Sequence, residues 1–183
     1  MGLKTRATID DLYRVDGKAE IVGGEVVPMS PTGEDPNYAA GEIFASLRDH
    51  ARLTGVGRAA TDNVAFRVDL PDRESFSPDA SYYIRPRSGM KFIEGAPQFA
   101  AEVRSQRDYG PAAERAMASK RADYFAAGTL VVWDVDLLGE DVVRVYRADS
   151  PDPPTVYRRG QHAEAEPAVP GWTMPVNDLF DRE

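Results

Sequence analysis

The chain has 183 residues, a net charge of −8 and 42% hydrophobic residues, which is enough apolar material for a real core and unlike a disordered polymer. With no cysteine, disulfides, thiolate chemistry and zinc sites built on sulfur are excluded. The acidic balance argues against strong non-specific affinity for nucleic acid, where Lys and Arg must neutralise phosphates, although a local basic patch or a bridging metal ion can act against the global sign. No run is long enough to span a bilayer. Met1–Arg6 lacks the apolar core of a signal peptide, and Arg6 stands where a myristoylation signal needs Ser or Thr. The expectation is a cytoplasmic protein with no membrane contact.

In chain order, Thr8 caps a short helix with Asp10 and Asp11 in its first turn, where the helix dipole favours acids. Ala19–Val22 and Glu25–Met29 flank Gly23-Gly24, the pattern of a tight hairpin. Ser30–Pro36 reads as loop. A helix is predicted from about Asn37 to Leu53, with Ala40, Ile43, Phe44, Leu47 and Ala51 at helical spacing and Gly55 and Gly57 as its stop. Asn63–Leu70 alternates as a half-buried strand, and Pro71–Ser75 reads as a turn. Asp79–Ile84 and Phe99–Arg104 are two further predicted strands, joined by a loop rich in Gly and Pro. Pro111–Ala127 is predicted helical, with Pro111 in the first turn and Gly128 as the stop. Thr129–Val135 is nearly all apolar, as in a strand covered on both faces. Val142–Arg147 is expected to pair antiparallel with it. From Ser150 the chain is rich in Pro and charge, with a short strand expected at Thr155–Tyr157. With no internal repeat and no linker, this reads as one domain over 1–183: an N-terminal helix and hairpin (8–29), a core (37–147) and a C-terminal extension (150–183). The fold class is α/β or α+β, a sheet flanked by helices.

Two acids, Asp79 and Glu102, and one lysine, Lys120, sit in apolar surroundings within this scheme. Strand alternation puts Glu102 and Arg104 on one face, opposite Phe99, Ala101 and Val103. Asp79 leads the preceding strand. In the helix that follows, Lys120 shares a face with Ala113, Ala116, Met117 and Tyr124. Buried charges are costly unless paired or bound to a metal. Two carboxylates from neighbouring strands with a cation nearby suit a hard divalent ion, which takes oxygen ligands and completes its shell with water and phosphate. Taken singly, each residue also has an ordinary explanation: Asp79 as a turn or cap residue, Glu102–Arg104 as an edge pair, Lys120 snorkelling from the rim of its stripe. His50 and His162 read as surface residues, and Trp133 and Trp172 as core aromatics. The lack of a Gly-x-Ser-x-Gly elbow argues against a triad hydrolase, and Walker and dinucleotide fingerprints are absent.

The run Glu20-Ile21-Val22-Gly23-Gly24-Glu25-Val26-Val27-Pro28-Met29-Ser30-Pro31-Thr32-Gly33 resembles the N-terminal signature of the Uma2 family, also called DUF820. Ser77-Pro78-Asp79 and Ala101-Glu102-Val103-Arg104-Ser105 resemble its central motifs. Lys120, Tyr124, Gly128 and Trp133-Asp134-Val135-Asp136 resemble its following helix and strand. The family is similar to PD-(D/E)XK restriction-endonuclease-like nucleases. The resemblance implies a mixed sheet flanked by helices, a homodimer, and a Mg²⁺ (or Mn²⁺) dependent endonuclease acting on DNA. By position, it implies Asp79 and Glu102 as metal ligands with the Val103 carbonyl as a third, Glu20 as a further acid and Lys120 as the catalytic lysine. Arg104 stands at the motif's textual lysine position. It is always protonated and cannot be a base, so its implied role is to bind phosphate. Asn37 stands where many members carry a His, and is a candidate substrate contact. That departure keeps a second expectation open, a catalytically impaired dimeric nucleic-acid-binding or interaction module. A carboxylate-pair hydrolase of another substrate is a third.

Overall fold

A computed structural model describes residues 6–180. The N-terminal readings that rest on residues 1–5 lie outside the described residues. The first turn is α1 (Ile9–Leu12), closed by a reciprocal capping box between Thr8 and Asp11. The expected hairpin follows as β1 (Ala19–Val22) and β2 (Glu25–Pro28), with Gly23 and Gly24 at φ of 60° and 77°, values that a side chain would strain. Then come α2 (Glu34–Thr54), β3 (Arg58–Thr61), β4 (Phe66–Leu70), β5 (Arg73–Phe76), β6 (Ala80–Tyr83), β7 (Ile93–Glu94) and β8 (Phe99–Val103). Next are α3 (Pro111–Ala126), β9 (Val131–Val135), β10 (Val143–Arg147), β11 (Ser150–Tyr157), β12 (His162–Glu164) and β13 (Thr173–Pro175), and a short 3₁₀ turn at Val176–Leu179 closes the described chain.

The strands form three sheets. The central one has six strands in the order β11-β10-β9-β8-β6-β3. It is antiparallel except for the β8–β9 pair, which is parallel and bridged by α3. A parallel pair needs such a long crossover, and a helix supplies it. The second sheet, in the order β2-β1-β5-β4-β7, stands beside it, and β12 and β13 form a small ribbon.

Several elements differ from the sequence-based expectation. The helix predicted from Asn37 begins at Glu34, with acids in its first turn. The strand predicted from Asn63 begins at Phe66, because Asn63 has φ of 63° and turns the chain. The turn predicted over Pro71–Ser75 is only Pro71-Asp72, and Arg73–Phe76 is a strand. β3 and β7 were not expected. The segment from Ser150 carries a longer strand than predicted, which lengthens the central sheet through β10. Its Trp172, Met174, Val176 and Leu179 are buried in the main core. The strand expected at Thr155–Tyr157 is present, and Pro-rich composition hid its length and the segment's packing.

That main core lies on one face of the central sheet. Ile43 and Leu47 of α2 pack there with Phe99, Ala101 and Val103 of β8 and Trp133 of β9. Trp133 stacks on Trp172 at 5.0 Å and meets Phe99 edge-on at 5.2 Å, so both tryptophans are core residues as expected. A smaller cluster occupies the opposite face, where Ala100, Val132 and Tyr124 meet Phe66 and Phe76 of the second sheet. β9 is buried on both faces, as its continuous apolar run predicts.

Candidate active site

The site lies on that second face, where β1, β5, β6, β8 and α3 converge. Strand pairing brings its acids together. Ala80 of β6 lies opposite Ala101 of β8, so Asp79 comes level with Glu102. Asp79 is locked to β8 twice: its N–H donates to the Ala101 carbonyl at 3.1 Å, and its Oδ2 accepts the Val103 N–H at 2.8 Å. Glu102 projects from the face of β8 that also carries Ala100, as alternation requires.

Lys120 reaches from α3 between two acids. Its Nζ lies 2.9 Å from both Glu20 Oε1 and Glu102 Oε1. Its helical neighbour Tyr124 donates its hydroxyl to Glu102 Oε1 at 2.6 Å. Glu20 is 5% exposed and receives three donors. Besides Lys120, Arg73 Nη1 donates to Oε2 at 2.7 Å and the Ser77 N–H to Oε1 at 2.8 Å. Arg73 in turn donates Nε to Asp123 of α3 at 2.8 Å, and its guanidinium lies over the Phe76 ring at 4.9 Å. On the outer side, Lys18 donates to Asp79 Oδ1 at 2.7 Å and pairs with Asp62. Glu20 thus bridges Lys120 and Arg73, and the whole set forms one network across five elements.

The charges respond to this packing. Burial pushes Glu20 up, but Lys120, Arg73 and the Ser77 N–H outweigh it and hold its carboxyl below the usual range. Glu102 goes the other way. Burial raises it, Lys120 opposes, and the nearby Asp79 and Glu20 carboxylates tip the balance upward. Burial would lower Lys120, yet Glu102 and Glu20 overcome it and hold the ammonium above its ordinary value. Lys120 is therefore cationic across the neutral range. Burial, reinforced by Glu102, lifts the Tyr124 phenol well above its usual value, so it stays a donor.

Arg104 sits apart from this set. Its guanidinium forms a two-bond fork on Asp134 of β9, at 2.7 Å for each bond, and also binds Glu114 of α3. Hydrogen bonding to Asp134 comes first among the influences that raise it, with Glu114 adding to it. A fork already engaged by two carboxylates is poorly disposed to capture phosphate. Asn37 is exposed on the first turn of α2 and lines the rim of the site.

A cavity of about 820 Å³ opens over these residues. Its floor carries Glu20, Asp79, Glu102 and Lys120, and its walls include Met29 of the hairpin end and Met117 of α3. The α3 stripe expected to pack on the sheet does so only through Tyr124. Ala113 and Met117 are half-buried and face the cavity instead. The donor set suits a hard divalent ion. The available ligands are oxygens, from the Asp79 and Glu102 carboxylates on neighbouring strands. Among the described residues no three His, Cys, Asp or Glu side chains converge as a metal cluster. The fit is therefore to an ion content with two carboxylates, as Mg²⁺ is, and not to one needing an all-protein shell.

Sequence reasoning missed Lys18, Arg73, Asp62 and Asp123, and gave Tyr124 no role. Lys18 precedes Glu20 by two residues, the spacing that places both on one side of an extended chain, so that signal was present. Arg73 was hidden inside a predicted turn.

A family model, Uma2, described as "Putative restriction endonuclease", matches residues 7–177. A solved structure described as "a putative nuclease belonging to DUF820" from Anabaena variabilis ATCC 29413 superposes with a TM-score of 0.74 at 18% identity, covering 95% of this chain and 97% of that one. The two share a fold, a mixed sheet flanked by helices. No curated protein matches.

Proposed function

The chain belongs to the Uma2 family, and from that membership we propose that it is a Mg²⁺-dependent endonuclease acting on DNA, with Mn²⁺ able to substitute. One observation carries the reading: Lys120 stands between Glu20 and Glu102 while Asp79 is locked beside Glu102 on the neighbouring strand. Asp79 and Glu102 would hold the ion, with the Val103 carbonyl as a further oxygen. When bound, such an ion activates water and stabilises charge on a phosphate. Lys120, kept cationic by its two acids, stabilises charge developing on the phosphate and does not act as a base. Tyr124 fixes the orientation of Glu102. Glu20, itself fixed by Arg73 and Ser77, fixes Lys120. Arg104 braces β9 and α3 around the site. Asn37 would meet substrate at the rim.

The test is cleavage of supercoiled and single-stranded DNA by purified protein with Mg²⁺ or Mn²⁺. Asp79→Ala and Glu102→Ala should each lower the rate about a thousandfold or more. A protein that cuts neither DNA nor RNA with either ion, although folded, overturns the reading. A specific observation favours a second one, a non-catalytic nucleic-acid-binding or interaction module: both candidate ligands are already satisfied by lysines. DNA retention without cleavage would select it. The homodimer implied by the family is checked by light scattering.

A further inference from the structure

Two lysines enter the site, and only one of them has a place in the proposed chemistry. Lys18 lies just before β1, where its carbonyl accepts the Met29 N–H at 2.9 Å and ties it to the end of the hairpin. Its side chain is 13% exposed, and Nζ is shared between Asp79 Oδ1 and Asp62 Oδ1. The two acids differ in setting. Asp62 is 46% exposed, on the turn after β3, while Asp79 is 23% exposed. Asp79 Oδ2 already accepts the Val103 N–H. The ammonium therefore covers the oxygen that the main chain leaves open. Lys18 is also among the charges acting on Glu102, so it bears on both candidate ligands at once.

The charge count gives this placement a meaning. Lys18, Arg73 and Lys120 face Glu20, Asp62, Asp79, Glu102 and Asp123. Within this ion-paired set the carboxylates outnumber the cations, so an added cation would meet acids that the resident cations do not fully neutralise. Arg73 and Lys120 share the buried Glu20, and their other partners, Asp123 and Glu102, are 30% and 23% exposed. Of the three, Lys18 is the one not tied to Glu20, and its second acid, Asp62, is the most exposed of the partners, so it can withdraw there without losing its ion pair.

We propose that Lys18 is a resident counter-cation: it holds Asp79 while no metal is bound, and yields it by withdrawing to Asp62 when a divalent ion arrives. The proposal rests on the metal reading of the site. Lys18 is a positioning residue in this scheme. It stays protonated throughout, and its competition with the ion sets the metal affinity. A ligand carboxylate left bare beside Glu102 would be repelled and would drift, so Lys18 keeps the metal-free site assembled at a cost in affinity for the ion.

The test is Mn²⁺ binding by titration calorimetry, with the thermal shift on adding Mn²⁺ as a second readout; the site's own binding is taken as the part lost in Asp79→Asn. Lys18→Gln should bind Mn²⁺ about tenfold more tightly, the scale of one charge-assisted hydrogen bond no longer to be displaced. It should also melt lower without metal and show a larger shift with it. Lys18→Arg, which keeps the charge, should stay near wild type. Asp62→Asn, which removes the place of withdrawal, should bind more weakly. A merely structural lysine would not tighten binding when removed. If wild type binds Mn²⁺ through Asp79 but Lys18→Gln binds it equally or less tightly, the counter-cation role is overturned and the metal site stands. If no variant binds Mn²⁺ in a manner sensitive to Asp79, the metal reading falls and this inference with it.

Discussion

The two faces of β8 are five residues of one strand built to different rules. Toward α2, Phe99, Ala101 and Val103 enter an apolar core sealed by Trp133 and Trp172. Toward α3, Ala100 gives way to Glu102 and a network of paired charges under an open cavity. Burial stabilises the first face in proportion to area and without direction. The second face holds together only through named partners, and buried ion pairs contribute little net stability while being costly to break. One face therefore secures the fold, which leaves the other free to hold paired charges beneath a cavity.

Substitutions on the two faces should separate by size and by pH. Trp133→Ala, on the sealed face, should cost about 4 kcal/mol, with the same loss at pH 7 and pH 4.5 in thermal or urea unfolding. A loss that varied with pH would mean that the sealed face is not purely apolar in its energetics. Glu20→Gln, on the charged face, should cost about 3 kcal/mol at pH 7 by stranding two cations. Its folded carboxyl lies below the ordinary 4.5. The stability it contributes is thus present above that value and lost as pH falls through the lower folded one. The melting gap between wild type and Glu20→Gln should narrow below pH 4.5 and hold constant above it. A gap unchanged at pH 3 would show that hydrogen bonding, not charge, holds Glu20.

Lys120→Met sharpens the contrast. Its ammonium is raised above the ordinary 10.5, so its contribution is complete below that pH and fades only as pH climbs through the folded value. Between pH 6 and pH 9 its melting gap should be flat. Smaller still, Ile43→Val should cost about 1 kcal/mol with no dependence on pH. Arg158→Ala, which removes a surface pair with Asp141, should leave the melting temperature unmoved.

What the sequence made legible follows the same division. Glu102 was readable because a strand has period two, and Lys120 because it breaks an apolar stripe at helical spacing. Both signals are local. The main core was readable in α2 and β9, where Ile43 and Leu47 keep helical period and Val131–Val135 runs unbroken. Arg73 could not be read, because its reasons for burial, Glu20 and Asp123, lie 53 and 50 residues away. Asp62 was equally hidden, since only the fold brings it to Lys18. β3 pairs with β6 at the sheet's edge, yet Ala59 and Ala60 carry no strong strand preference of their own. The C-terminal segment misled because Pro and charge dominate its text, while four apolar side chains decide where it packs.

The double lock of Asp79 on β8 has a consequence for how the protein tolerates change. Main chain and side chain of the same residue grip positions 101 and 103 of the neighbouring strand. Alignment of the two strands and assembly of the acids are therefore a single event. A one-residue slip of β8 would turn Glu102 into the tryptophan-lined core and set Val103 over the cavity. Lengthening the connection between Tyr83 and Phe99 leaves this alignment untouched, whereas deleting one residue inside β8 inverts it. The acid-lined pocket is in this sense a spelling check on the sheet: a chain that pairs these strands in any other frame does not assemble it.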